Sequence, residues 1–128
     1  MAEREVKRGE IWTSANSTEY GRKPRPVVII QDDSFSDTNS VTICPLTGEL
    51  NPTPWLRITV VPTADNGLTL QSQMMIDKVA TVPRAKLGQR IGQLDATSVS
   101  QMNAAVRLFL GLNTGGGESA LEGLEADR

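Results

Sequence analysis

The stretch from Lys23 to Ile30 constrains the fold of this chain more than any other. Its second half, residues 27–30, is a run of four β-branched residues, which is typical of a strand buried on both faces. Pro24 and Pro26 fix their own backbones and disfavour helix in the residue before each of them, so Arg25 is predicted to be extended where this strand begins. A guanidinium held in that position suits phosphate binding or stabilisation of an anionic transition state. It equally suits an ordinary turn in which arginine bridges a surface carboxylate, and these residues alone leave both interpretations open.

The sequence contains no histidine and one cysteine, and these counts exclude several kinds of active site. Without histidine there is no Ser-His-Asp or Cys-His catalysis and no zinc site built on imidazole. With one cysteine there is no CxxC metal cluster and no thioredoxin-like redox pair. Cys44 follows apolar residues and is predicted to be a small buried hydrophobe in a reducing compartment rather than a reactive thiol. Because no glycine-rich phosphate loop is present either, an enzyme of this composition must use Arg, Lys, Asp, Glu, Thr, Ser or Tyr.

Charge and composition divide the chain into two unequal parts. The 128 residues suit one domain, and their formal net charge of −2 is the sum of −3 for residues 113–128 and +1 for residues 1–112. Residues 1–112 are predicted to form the domain, and the acidic, Gly-rich remainder a disordered tail. No apolar stretch approaches the length of about 18 residues that a membrane span needs, and no export signal leads the chain, so we expect a cytoplasmic protein. A local basic surface on such a domain can hold a few phosphates. The cations cluster as Lys7 and Arg8, then Arg22, Lys23 and Arg25, then Lys78, Arg84, Lys86 and Arg90.

Short apolar runs between turn residues predict a mainly β domain with one helix. The predicted strands cover residues 9–13, 25–31, 41–46, 56–61, 72–82 and 90–94, with a turn at Asp65-Asn66-Gly67. The helix is predicted to begin after Asp95 as N-cap and to end at Gly111. Its apolar stripe consists of Val99, Met102, Val106, Phe109 and Leu110. This pattern indicates a small, strongly bent barrel of SH3 type with a C-terminal α-helix, and the stripe exceeds what a short helix on such a barrel needs to bury, which favours a homodimer.

Seven short motifs, in unbroken order over residues 7–112, resemble those of the MazF/PemK ribonuclease toxins. They are R-G-E-I-W (8–12), K-P-R-P-V-V-I-I (23–30), T-I-C-P-L-T (42–47), N-G-L (66–68), M-I-D-K-V-A-T-V (75–82), I-G-Q-L (91–94) and F-L-G-L (109–112). The resemblance implies the toxin of a type II toxin–antitoxin module, a homodimer of SH3-like barrels without a cofactor. Such toxins cleave single-stranded RNA (mRNA, and in some cases rRNA or tRNA) at short sequences without metal. It also implies a MazE-like antitoxin whose acidic C-terminal segment occupies the RNA groove.

The resemblance assigns catalysis to Arg25 and Thr47. Arg25 is expected to stabilise the phosphorane formed when the 2′-OH attacks its own phosphate. Threonine is a poor acid at neutral pH, so Thr47 is interpreted as a hydrogen-bonding positioner, with proton transfer left open as a second role. A simple Ser/Thr turn ahead of Gly48 is the structural alternative. Asp77 and Lys78 match the acidic-amide pair that helps to read bases in the family. Since a lysine replaces the glutamine of many relatives, the base preference is expected to differ.

Further RNA contacts are predicted on the polar loops and in the basic clusters. Tyr20 and Trp55 carry amphipathic rings that can stack on unpaired bases, although Trp55 equally suits a dimer interface. The remaining predicted RNA-binding residues are Lys23, Lys78, Arg84 and Lys86.

Two alternatives to an active nuclease remain at this stage. A CcdB-like toxin of the same fold binds a protein target such as DNA gyrase and does not cleave RNA. Its chain resembles one that ends in a Trp-Gly-Ile helix terminus, whereas residues 109–112 here lead into a Gly-rich tail, and both Arg25 and Thr47 are present. A family member that has lost its activity is the other alternative.

Overall fold

The computed structural model describes residues 5–15, 24–53 and 55–112, and these form a mainly β domain with a C-terminal helix, as predicted. The strands and the helix are β1 (Glu10–Ser14), β2 (Arg25–Ile29), β3 (Ser40–Thr47), β4 (Arg57–Val60), β5 (Ser72–Met75), β6 (Ala80–Pro83), β7 (Leu87–Gln93) and α1 (Ala96–Phe109). Short 3-10 helices lie at Asp33–Phe35, Ile76–Lys78 and Arg84–Lys86. Within these ranges, no helix combines the length and the apolar character needed to cross a membrane.

The strands form one antiparallel sheet in the order β4-β5-β3-β2-β1-β7, and β6 also pairs with β3. One edge of β3 pairs with β2. Its other edge pairs first with β6, over residues 40–43, and then with β5, over residues 46–47. Strand β3 is therefore the centre of the sheet, and its last residue, Thr47, lies where β5 joins it.

Strand β2 is buried on both faces, as its β-branched sequence predicted. Val28 is in register with Ile11 of β1 and Cys44 of β3, and these three belong to the larger hydrophobic core, which also contains residues of α1. Val27 and Ile29 point to the opposite face and join a smaller core around Trp12 and Ile43. Because adjacent residues of a strand alternate between faces, a continuous apolar run is needed to fill two cores.

Cys44 is fully buried in the larger core, which confirms its predicted place as a small hydrophobe. Burial raises the pKa of its thiol to about 12. A thiol held in this form is a poor nucleophile, so Cys44 contributes packing rather than reactivity.

The prediction of one strand over residues 72–82 is wrong, because β5 and β6 are separate strands. Leu46 of β3 faces Met74, so an unbroken register would place Ile43 opposite residue 77, but Ile43 faces Ala80, three residues further on. The 3-10 helix Ile76–Lys78 contains these extra residues, and the Ile76 side chain is fully buried. Each half of the segment can thus pair with a different part of β3.

Helix α1 begins and ends as predicted, but its buried stripe is shorter. Asp95 accepts a hydrogen bond from the Ser98 backbone N–H at 2.8 Å, which satisfies one of the free donors of the first turn. At the other end Gly111 has φ +75°, and the Leu112 N–H donates to Arg107 O at 2.8 Å, as in a Schellman motif. Met102 and Ala105 are the buried members of the helix, flanked by the half-buried Val99 and Val106. Phe109 and Leu110 are exposed, since the described part of the chain does not cover the last turn.

Candidate active site

An open cleft of about 960 Å³ lies over the smaller core, where β2 begins and β3 ends. Its apolar lining includes Val27, Ile43 and Val82, which belong to or pack on that core. The polar and charged residues among its described lining are Ser14, Arg25, Thr47, Glu49 and Lys86. Three residues that were singled out from distant parts of the sequence, Arg25, Thr47 and Lys86, therefore line a single cleft.

Arg25 is the first residue of β2, pairs with Ser14 of β1 and is exposed to solvent. Its position in a paired strand fixes the backbone, as the two flanking prolines predicted. Among the described residues, no carboxylate forms an ion pair with Arg25, so the turn-bridging alternative has no support there. With respect to the described residues, the guanidinium is therefore available to an anion in the cleft that Arg25 lines.

Thr47 ends β3 and is held from two sides. Its Oγ1 accepts a hydrogen bond from the Glu49 backbone N–H at 3.1 Å, so the Ser/Thr turn that was the structural alternative does form. A hydroxyl can accept one hydrogen bond and donate another, so the Thr47 O–H can still donate to a ligand. The neighbouring strand residue Gln73 is buried, and its amide bonds Asn51 N at 2.7 Å and Asn51 O at 3.0 Å, which fixes the loop after Thr47. The turn thus orients the hydroxyl and does not exclude its use in the cleft.

Asp77 and Lys78 do not line this cleft. The Asp77 carboxylate faces Arg57 of β4, with Nε–Oδ1 at 3.2 Å and Nη2–Oδ2 at 3.3 Å. The hydrogen bond from Arg57 lowers the pKa of Asp77. Lys78 is exposed, with its Nζ 4.0 Å from Asp77 Oδ2. Asp77 is therefore paired with Arg57 of β4. Lys78 is exposed and can still contact a ligand.

Trp55 lines a second groove of about 480 Å³, between β4 and α1. Arg57, Ala105 and Leu108 also line it. The Trp55 side chain is 61% exposed, so it is available to a base or to a partner surface but lies outside the lining of the cleft around Arg25. Arg57 was missed from the sequence, because a cation between Leu56 and Ile58 is also the ordinary alternation of a half-buried strand.

Arg84 does not fit its predicted contact with RNA. The residue is 9% exposed, and its Nε donates to Thr38 O at 2.8 Å while its Nη2 donates to Ser36 O. Its guanidinium thus holds the connection before β3 in place, because backbone carbonyls there need a donor. Tyr20 and Lys23, two further predicted RNA contacts, lie outside the described residues.

Comparison with known proteins shows which family this chain resembles. A family model described as "PemK-like, MazF-like toxin of type II toxin-antitoxin system" matches residues 7–110. Over 107 residues the chain is 47% identical to the "Probable endoribonuclease MazF" of Mycolicibacterium smegmatis, covering 84% of this chain and 98% of that protein.

Solved structures of similar fold agree with this match and confirm the predicted fold. The Mycobacterium tuberculosis toxin MazF-mt6 superimposes with a TM-score of 0.68 at 25% identity, covering 80% of this chain and 96% of that one. An endoribonuclease from a mycobacterial species, solved in complex with its cognate antitoxin, gives a TM-score of 0.68 at 20% identity, with coverages of 84% and 96%. The chain belongs to the PemK-like, MazF-like toxins of type II toxin–antitoxin systems.

Proposed function

We propose that this chain is a toxin that cleaves single-stranded RNA, whether mRNA, rRNA or tRNA, and thereby inhibits translation and growth. The observation that carries the proposal is the cleft in which Arg25, Thr47 and Lys86 lie around an apolar floor. The relative at 47% identity, which is named a probable endoribonuclease, supports the same activity.

The reaction proposed for the cleft is attack by the RNA 2′-OH on the adjacent phosphorus. Arg25 and Lys86 stabilise the negative charge that develops on the phosphoryl oxygens, and the Thr47 hydroxyl donates a hydrogen bond to one of them. The P–O5′ bond breaks, leaving a 2′,3′-cyclic phosphate and a 5′-OH. We propose that no metal cofactor takes part, because the two cations supply the positive charge that metal ions provide in other nucleases.

The proposed partners follow from the family and from the charge of the cleft. An antitoxin with an acidic C-terminal segment would place carboxylates on Arg25 and Lys86 and so displace RNA by competition. A related endoribonuclease has been solved in complex with its cognate antitoxin, which supports such a partner. We further propose that the toxin is a homodimer and works in the cytoplasm, where its RNA substrates are found and where Cys44 remains a thiol.

The rival function, poisoning of DNA gyrase by contact, is separated from RNA cleavage by two assays on the same preparation. The full-length protein is incubated with total RNA and single-stranded oligoribonucleotides in excess EDTA, and in parallel with DNA gyrase in a supercoiling assay. We expect cleavage of the RNA at discrete sites and unchanged supercoiling. Inhibited supercoiling with intact RNA would instead establish the CcdB-like alternative. No effect in either assay would indicate an inactive family member.

A further inference from the structure

The cleft contains one carboxylate among its described lining residues, and neither the sequence motifs nor the family match assigned it a function. Glu49 lies two residues after Thr47, is exposed and lines the cleft together with Arg25. We propose that Glu49 is the general base that takes the proton from the attacking 2′-OH. This inference depends on the RNA cleavage proposed above.

None of the other described carboxylates is among the lining residues of the cleft, nor is the Cys44 thiol, and several of these groups are already occupied. Asp77 is paired with Arg57, and Glu10 accepts from Trp12 Nε1 and Arg90 Nε at 2.9 Å each. The carboxylates of Asp32 and Asp95 cap the turns that follow them. The Cys44 thiol is buried, and its pKa is raised to about 12.

Unlike these groups, Glu49 lines the cleft, and it forms no ion pair with any residue in the described part of the chain. Arg25 and Lys86, its charged neighbours in the cleft lining, are cations and cannot accept a proton. The carboxylate is thus the one side chain of the described cleft suited to general-base catalysis.

The turn that carries Glu49 is fixed at both ends. Its own N–H donates to Thr47 Oγ1 at 3.1 Å, and two residues later the backbone of Asn51 is held by the buried Gln73 at 2.7 and 3.0 Å. The hydroxyl that contacts the phosphate and the carboxylate that receives the proton therefore belong to one short, anchored segment. Such anchoring holds a base near its proton without ordering a long loop on binding.

In the proposed step the 2′-OH proton passes to a Glu49 carboxylate oxygen while the O2′–P bond forms. The P–O5′ bond then breaks, and the 5′ oxygen takes a proton from solvent, which reaches the open cleft. Glu49 returns its proton to solvent. Atoms and charge balance without an oxidant, a metal ion or a second substrate.

The test compares the pH dependence of kcat/KM for the full-length protein and three variants. Glu49→Gln removes the base and preserves the shape, and Glu49→Asp keeps a carboxylate. Asp37→Asn is the matched control, since it removes one exposed negative charge that does not line the cleft. Binding to an RNA analogue with a 2′-deoxy group at the cut site is measured in parallel.

We expect Glu49→Gln to lower kcat/KM by about 10²-fold or more, the scale of a lost general base, with unchanged binding of the analogue. The fall in rate of the wild type at acidic pH, where carboxyl groups protonate, should disappear in Glu49→Gln and persist in Asp37→Asn. Glu49→Asp should recover part of the rate.

Four outcomes would overturn the inference. Unchanged or faster cleavage by Glu49→Gln would show that this carboxylate only repels phosphate. A further variant, Glu19→Gln, is measured in the same way: if it loses the fall in rate at acidic pH while Glu49→Gln keeps that fall, the base is Glu19, which lies outside the described residues. An equal fall in kcat/KM in Glu49→Gln and Asp37→Asn would indicate a general effect of charge. A wild-type protein that cuts no RNA would refute the proposed function itself, and this inference with it.

Discussion

At the scale of single residues, the backbone at two predicted site positions is set by local sequence. Arg25 lies between two prolines and Thr47 precedes a glycine, so the backbone at both is set by neighbours along the chain. Arg84, which was predicted to contact RNA, is buried, and the carbonyls that it bonds lie 46 and 48 residues away along the chain. Charge alone does not distinguish a cation that binds a ligand from one that holds a loop. That distinction needs the tertiary structure.

Arg25 is the residue on which cleavage should depend most. We expect Arg25→Ala to lower kcat/KM by about 10²-fold or more, since removal of one preorganised donor to a developing oxyanion costs that much. Arg25→Lys should recover the rate only in part, because an ammonium lacks the planar fork of donors. Initial rates of cleavage of a fluorogenic oligoribonucleotide measure both variants.

The matched control is Arg107→Ala, an exposed arginine of α1 outside the cleft lining. Circular dichroism must show that both alanine variants are folded. Near-normal cleavage by a folded Arg25→Ala protein would exclude Arg25 as the stabilising group. Unfolding of that variant alone would indicate a structural role instead.

At the scale of elements, the predicted turn at Asp65-Asn66-Gly67 is correct, and the structure shows that it contacts β7. Asn66 is buried, and its Oδ1 accepts from Thr63 N and Leu68 N at 3.0 Å each. The turn packs directly on β7, where the Gln93 N–H donates to Asp65 O at 2.9 Å. The asparagine and glycine were readable as a turn because their conformational preferences are local. The sequence did not predict which strand the turn packs against, because that contact joins segments that are distant along the chain.

The same limit explains the error over residues 72–82. Apolar and β-branched residues predict extended chain there, and both halves are extended. The break between them arises because β3 offers one part of its edge to β5 and another to β6. A register shift against a distant strand leaves no signal in the local pattern.

Gly92 is predicted to be essential for the contact between the turn and β7. A Cβ added there would lie 2.4 Å from Asp65 O and from the Asn66 carbonyl carbon, both of which are backbone atoms. Because backbone cannot rotate away as a side chain can, we expect Gly92→Ala to lower the free energy of unfolding by about 1–3 kcal/mol. Urea denaturation at one fixed protein concentration measures the change.

Gly48→Ala is the control for that experiment, since a Cβ at Gly48 would meet no atom within 4 Å. Its free energy of unfolding should stay within about 0.5 kcal/mol of the wild type. Equal stability of Gly92→Ala and the wild type would show that the turn can move away from β7 at little cost.

At the scale of the whole molecule, the described part of the chain leaves the C-terminal end of α1 exposed. Leu108, Phe109, Leu110 and Leu112 are each exposed, next to the groove that Trp55 lines. Adjacent exposed apolar side chains of this size are typical of an interaction surface. Two of them, Phe109 and Leu110, belong to the apolar stripe that favoured a homodimer, and a second copy of the chain is the partner proposed for this surface.

Sedimentation velocity tests this assembly directly. We expect a dimer at micromolar concentration, and a shift towards monomer in Leu108→Glu because a buried, unpaired carboxylate opposes association. Leu70→Glu serves as control, since Leu70 is 67% exposed and lines neither the groove nor the cleft. A wild-type monomer at this concentration would contradict the proposed dimer, and equal dissociation in both variants would contradict the proposed surface.

The central claim is that the cleft around Arg25 and Thr47 cuts RNA by using the 2′-OH of the substrate itself. The most direct measurement uses one single-stranded oligoribonucleotide with a mapped cut site and a second that differs only by a 2′-deoxy group at the nucleotide 5′ of the cut. Both are incubated with the full-length protein in excess EDTA, and the ends are identified by mass spectrometry. The account predicts a 2′,3′-cyclic phosphate and a 5′-OH from the first oligonucleotide and no cleavage at that site in the second. Cleavage of the deoxy-substituted oligonucleotide at an equal rate would contradict it.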